Sequence, residues 1–247
     1  MRLALLTDLH ANREAFSACL AHAEQQGADQ FAFTGDFVGY GADPAWVLDT
    51  VMRYVEKGAV VVQGNHDYAA LREARPSMHS EAREVIQWTR GQLNAGHMEF
   101  LSGLPLVREK DGMLFVHASA NDPPKWEYVT GIEEAERSLM ATECRIVFSG
   151  HVHAPALYRR TDEGAMGAAA PTPGKPVPVH PQHQYLVIPG SVGQPRDGNS
   201  AACYAIYDDV ARELCYYRIP YDHGAAARRV IASGLPIVFA MRLIEGI

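Results

Sequence analysis

The chain has 247 residues, 47% of them hydrophobic and 21% charged, the composition of a globular protein with a sizeable core. A formal net charge of −7 argues against a general nucleic-acid or membrane-surface binder, which would present a basic face. It does not exclude a phosphorylated substrate, because bound metal ions reverse a local field.

Residues 3–7 read as a buried strand, ending in Asp8-Leu9-His10-Ala11-Asn12. This start is too short and too polar for a secretion leader, and no apolar run reaches the roughly 18 residues of a membrane span. A cytoplasmic location without a membrane partner is expected. Residues 13–26 have helical spacing, with Ala15, Phe16, Cys19, Leu20 and Ala23 on one face. Asn12 reads as the cap of that helix. A second strand over 30–34 ends in Gly35-Asp36, and Asp43-Pro44 starts a helix that runs to about Val55. A third strand over 59–63 runs into a loop, Gly64-Asn65-His66-Asp67, where Gly64 permits a sharp turn. Strand–helix–strand–helix–strand predicts a parallel sheet, with ligands outside the carboxyl ends of its strands.

Residues 68–103 carry helical patterns over 69–74, 80–93 and 96–101, with a break at Pro76 and no strand. They are expected to form a helical cap over the strand ends. Strands follow over 112–116, ending at His117, and 145–149, ending at Gly150-His151-Val152-His153, with a helix over 133–141 between them. Residues 160–183, rich in Gly, Ala and Pro, are expected to form a mobile surface loop. Short strands over 154–158, 185–188, 201–207 and 213–218 predict a second, mainly antiparallel sheet, and residues 223–245 one or two helices. A single domain over 1–247 is the economical reading. Cys19, Cys144, Cys203 and Cys215 form no Cys-x-x-Cys pair and read as reduced core residues.

The strand ends collect Asp8, His10, Asp36, Asn65, His66, His117, His151 and His153: two carboxylates, one amide and five imidazoles. Nitrogen and oxygen donors without thiolate suit zinc, iron, manganese, cobalt or nickel, and suit calcium poorly. Asp8/His10 and His151/His153 are alternate residues, which share a side when the chain is extended. Eight donors exceed the needs of one ion, so two divalent metals bridged by Asp36 are the natural allocation. Metals about 3.5–4 Å apart ionise a bridging water and stabilise both oxygens of a displacement at phosphorus.

Asp8-Leu9-His10, Gly35-Asp36, Gly64-Asn65-His66-Asp67, His117 and Gly150-His151-Val152-His153 resemble, in order, the motifs of the calcineurin-like metallophosphoesterases. Three further stretches, residues 35–41, 126–128 and 189–196, resemble its bacterial diadenosine tetraphosphatase-like and phosphodiesterase-like branch, as does 219–221. The resemblance implies an α/β four-layer αββα sandwich of two packed mixed sheets. It implies Asp8, His10, Asp36 and His153 around one metal, and Asp36, Asn65, His117 and His151 around the other. Manganese leads among these metals, with iron, cobalt, nickel, zinc and magnesium as alternatives. His66 would face the leaving group, with Asp67 orienting it. Ala11 departs from the family, which often has glycine there.

The implied activity is hydrolysis of phosphate esters by a metal-bridging hydroxide, as a phosphodiesterase or dinucleoside polyphosphate hydrolase. The partner is then a small phosphorylated substrate, nucleotides included, with no stable nucleic-acid binding. A protein serine/threonine phosphatase and a non-catalytic scaffold are the alternatives. Tyr40 and Trp126 could stack on a base and Arg196 could meet a phosphate. His22, His79, His97, His180, His183 and His223 match no motif; His180 and His183 could bind metal adventitiously.

Overall fold

Leu3 and Leu5 point to one side of the first strand, and Ala4 and Leu6 to the other; all four are buried. A strand buried on both faces must lie between two layers, and that dictates the architecture. The computed structural model describes residues 1–72 and 80–247. The chain runs β1 (Arg2–Leu6), α1 (Arg13–Gln25), β2 (Gln30–Phe33), α2 (Pro44–Glu56), β3 (Val60–Val61) and α3 (Asn65–Ala70). Then come α4 (Ser80–Gln92), α5 (Ala95–Ser102), β4 (Val107–Lys110), β5 (Met113–Val116), a 3-10 turn (Pro123–Lys125) and α6 (Ile132–Met140). It ends with β6 (Ile146–Phe148), β7 (Ala156–Arg160), β8 (Met166–Ala169), β9 (Val177–Pro178), β10 (Gln184–Ile188), β11 (Ala202–Asp208), β12 (Glu213–Ile219), α7 (His223–Ala232) and α8 (Ile237–Glu245).

The strands form two six-stranded mixed sheets, β3-β2-β1-β11-β12-β9 and β4-β5-β6-β10-β7-β8. Each contains a parallel trio, β3-β2-β1 in one and β5-β6-β10 in the other. Leu3, Leu5, Phe115, Phe148, Val187 and Tyr216 fill the space between the sheets. Ala4, Leu6 and Phe33 face α1 and α2 through Phe16, Val47 and Leu48. Leu114, Val116 and Val147 face α6 through Ala135 and Leu139. The result is the αββα sandwich of two mixed sheets that the motifs implied.

Three expectations need correction. The late strands do not form a separate sheet: β11 and β12 pair beside β1, while β7 and β10 join β6. Alternation within a strand says which faces are buried, but not which sheet a strand joins. Residues 160–183 carry two edge strands, β8 on β7 and β9 on β12. An edge strand is held by backbone hydrogen bonds and needs no large apolar side chains. The stretch after Gly64 is the first turn of α3, not a loop, because Asp67 at its third position accepts from the Gly64 N–H at 2.9 Å. As expected, Asp43 is the N-cap residue of α2 and Pro44 opens its first turn; the Asp43 carboxylate makes no side-chain cap but is paired with Arg229 of α7.

Helices were found at α4 and α5 within the expected insertion. They pack beside α2 and α3, and Val85 reaches the apolar cluster shared by α7 and α8. The expected break at Pro76, the end of the 69–74 pattern and His79 lie outside the described residues.

Candidate metal centre

The carboxyl ends of β1, β2, β3, β5 and β6 meet at one edge of the sandwich, and each delivers its polar cluster there. Asp8, His10, Asp36 and His153 bring ligand atoms within 4.8 Å of one another, and so do Asp36, His117 and His151. Asp36 belongs to both groups, and all of these residues are buried. Its Oδ2 lies 3.7 Å from His10 Nε2 and 3.3 Å from His117 Nε2. Asp8 Oδ1 lies 3.3 Å from His153 Nε2 and 3.9 Å from His10 Nε2. Asn65 Oδ1 lies beside the second group, 3.1 Å from His117 Nε2.

The orientation of the rings says what these atoms await. His10 Nδ1 lies 3.2 Å from Val38 O, His153 Nδ1 2.6 Å from Gln194 O, and His117 Nδ1 2.7 Å from Thr34 O. A carbonyl oxygen can only accept, so each Nδ1 carries a proton and each Nε2 is turned inward. His10 Nε2 and His153 Nε2 then face each other at 3.1 Å. Burial, then the neighbouring His153, hold the His10 imidazole well below its ordinary pKa, so His10 Nε2 presents a lone pair. Facing ring nitrogens beside the Asp8 and Asp36 carboxylates fit a cation. His151 Nε2 is also buried and has no hydrogen-bond partner among the described residues. The donor set therefore fits two divalent ions.

Charge on these side chains is settled by contest. Burial raises the Asp8 carboxyl, but His153 and His117 outweigh it and the net shift is downward. Burial likewise opposes Asp36, whose histidine neighbours hold it far below the usual carboxylate range. Burial lowers His117, but Asp36 beside it wins and pushes it up to about 9.

Backbone strain is concentrated here. Asp8, His10, Asp36, His151 and His153 have φ of 53°, 44°, 54°, 69° and 64°, in the left-handed region that L-residues avoid. The pairs Asp8/His10 and His151/His153 thus converge through left-handed turns, not through alternation in an extended segment. Ala11, where the family often has glycine, also has φ 51°. Gly64 serves a purpose other than turning. Its φ is −98°, but a Cβ there would collide with the backbone and carboxylate of Asp36.

Asp67 does not orient His66. Its carboxylate accepts from the N–H groups of Asp36 (2.8 Å), Phe37 (2.9 Å), Val38 (3.3 Å) and Gly64 (2.9 Å), and so fixes the loop that carries Asp36. His66 is positioned otherwise. Its N–H donates to Asp36 Oδ1 at 2.8 Å, and its ring lies 4.4 Å from Tyr40 and 5.0 Å from His10. Asn12 caps α1 by accepting from Ala15 N–H, and its amide also donates to Gly193 O and Tyr221.

Sequence reasoning missed two supports. Thr7 donates to Asp8 Oδ2 at 2.9 Å, and buried Gln194 supplies the carbonyl that sets His153. The non-motif histidines lie elsewhere: His22 bonds Tyr204, His97 bonds Asp49, and His180 and His183 sit ring to ring.

An uncharacterized protein of Methanocaldococcus jannaschii is 30% identical over 99% of this chain and 98% of its own length. A crystallised metallophosphoesterase from Sphaerobacter thermophilus is 30% identical, covers 100% of this chain and 99% of its own, and superposes with a TM-score of 0.89. A hypothetical protein from Pyrococcus horikoshii OT3 has the same fold at 18% identity, with a TM-score of 0.80 over 99% and 98% of the two chains. The model of the calcineurin-like phosphoesterase superfamily domain matches residues 1–211, which hold every donor gathered at the sandwich edge. With a phosphoesterase as its full-length relative and that model over most of its length, the chain belongs to the calcineurin-like phosphoesterase superfamily, whose members are hydrolases.

Proposed function

We propose that the chain is a dinuclear metal-dependent phosphodiesterase, with dinucleoside polyphosphates within its substrate range. The observation that carries this is the pair of buried donor groups sharing Asp36. In this reading Asp8, His10, Asp36 and His153 hold one ion, and Asp36, Asn65, His117 and His151 the other. The ions supply Lewis-acid charge and a water acidified towards neutrality. Manganese is the leading choice.

The side chains divide the remaining work. Carbonyl contacts at Nδ1 lock three histidines in the tautomer that presents Nε2. Asp36 ties the centre to the acid–base group, because its Oδ1 accepts the His66 N–H while its Oδ2 faces the histidines. His66 donates a proton to the departing ester oxygen. Half-buried between Tyr40 and His10, it is outside both donor groups. No covalent nucleophile is required. Helices α4 and α5 serve as a cap beside the site, in contact with α3.

The test is hydrolysis of bis-p-nitrophenyl phosphate by metal-free protein supplied in turn with Mn, Fe, Co, Ni, Zn and Mg. Turnover with at least one metal, and none with chelator, is expected. Silence with all six would overturn the reading.

A further inference from the structure

The two rims of the centre differ in chemistry. On the His10/His153 side stands Arg196. Its backbone N–H donates to His153 O at 3.3 Å, and its Nη2 lies 3.1 Å from Gln194 Oε1 and 3.5 Å from the Tyr40 hydroxyl. Its guanidinium carbon sits 5.7 Å from the Tyr40 ring centroid. These partners are neutral, and among the described residues no carboxylate pairs with Arg196. A cation beside an anion-binding centre, held only by neutral groups, retains its charge for a ligand.

The His117/His151 side is aromatic. Tyr128 stacks on His151 with ring centroids 3.9 Å apart and planes 21° apart, yet it is 49% exposed. One face covers a buried donor, and the other is open to solvent. Trp126 meets His117 edge-on at 5.8 Å and Tyr68 at 6.2 Å. The loop is built to present these rings. Lys125 Nζ and Asp122 Oδ2, 2.8 Å apart, staple its 3-10 turn, and Glu127 turns away to Arg137 of α6 at 2.7 Å. Val129 anchors the far end in the α6 core. Trp126 itself has φ 53°, a conformation a bulky residue adopts only when its surroundings enforce it.

We infer that Tyr128 and Trp126 form a stacking shelf for a planar aromatic group of the substrate, and that Arg196 binds a phosphate oxygen. The substrate class is then a phosphodiester with a nucleoside on at least one side. The inference rests on the phosphoesterase reading above. Aromatic faces accept any base, so the shelf selects a nucleotide without choosing its sequence or base.

The test compares binding of adenosine 5′-monophosphate and ribose 5-phosphate, which differ only in the base, to the metal-loaded protein by calorimetry. Adenosine 5′-monophosphate is expected to bind about tenfold tighter or more. Tyr128→Ala should erase that ratio, and Tyr128→Phe, which keeps the stacking face, should preserve it. Arg196→Gln should weaken both ligands by similar factors and leave the ratio standing. Equal affinities in the wild type, or an unchanged ratio in Tyr128→Ala, would overturn the shelf. Turnover of bis-p-nitrophenyl phosphate, measured alongside, separates the two ideas. Intact turnover with equal affinities sinks the shelf alone, whereas absent turnover with every metal sinks the hydrolase reading beneath it.

Discussion

His66 and Asn65 are adjacent in the chain and, in the proposed mechanism, opposite in duty. Asn65 Oδ1 joins the donor cluster at His117, whereas the His66 ring stands apart against Tyr40. The two alanine variants should therefore fail differently. Asn65→Ala should weaken retention of metal by at least the roughly 10–100-fold typical of supporting groups at metal sites. His66→Ala should keep its metal and lose about a hundredfold or more in kcat. Metal analysis beside steady-state kinetics checks both, and metal loss in His66→Ala would contradict the division. His117 gives a pH dependence. In the metal-free protein it holds a proton up to about pH 9, because Asp36 raises it against burial. A metal must displace that proton, so metal affinity should rise with pH below about 9, by up to about tenfold per unit. Calorimetric titration at several pH values, in buffers of different ionisation heat, should also detect protons released on binding. The residue scale also shows where sequence reading stops. Asp8, His10, Asp36, His117, His151 and His153 were legible because polar clusters closed apolar runs. Asp67 was misread, because four backbone N–H groups from two loops converge on it, and that convergence exists only after folding.

At the scale of elements, the continuous apolar runs of β1 and β5 and the helical stripe of α1 were readable, because burial on both faces of a strand and on one face of a helix writes them into the sequence. The short β4, β8 and β9 were not. Their residues are largely exposed, and they exist through pairing with β5, β7 and β12. The split of the late strands between sheets was equally hidden, since a strand's partner is not encoded in its own period. One contact between the sheets is testable. Tyr216 on β12 is buried, and its hydroxyl donates to Ala156 O on β7 at 3.0 Å. Tyr216→Phe removes that donor without opening a cavity and should cost about 1 kcal/mol of stability by denaturant unfolding. No loss, or a loss above about 3 kcal/mol, would contradict this account of the sheet interface.

For the whole molecule, the sandwich holds five strand ends at one edge. No helix among the described residues is long and apolar enough to cross a membrane. The centre gathers buried donors that attract few protein partners, as the facing Nε2 atoms of His10 and His153 and the unpartnered Nε2 of His151 illustrate. Metal should therefore support folding as well as chemistry. Ligand at a hundred times its dissociation constant adds about 2.7 kcal/mol to the folded state. Stripping with chelator should lower Tm by several degrees, restored on adding metal, as calorimetry can check.

The claim that joins these scales is that two ions share Asp36. It is tested most directly by titrating manganese into metal-free protein while following bound metal and diester hydrolysis in the same samples. The account predicts saturation at two equivalents per chain, with turnover rising as the second site fills, and saturation at one or fewer with Asp36→Ala. Full activity at one equivalent, or unaltered two-equivalent binding in Asp36→Ala, would contradict it.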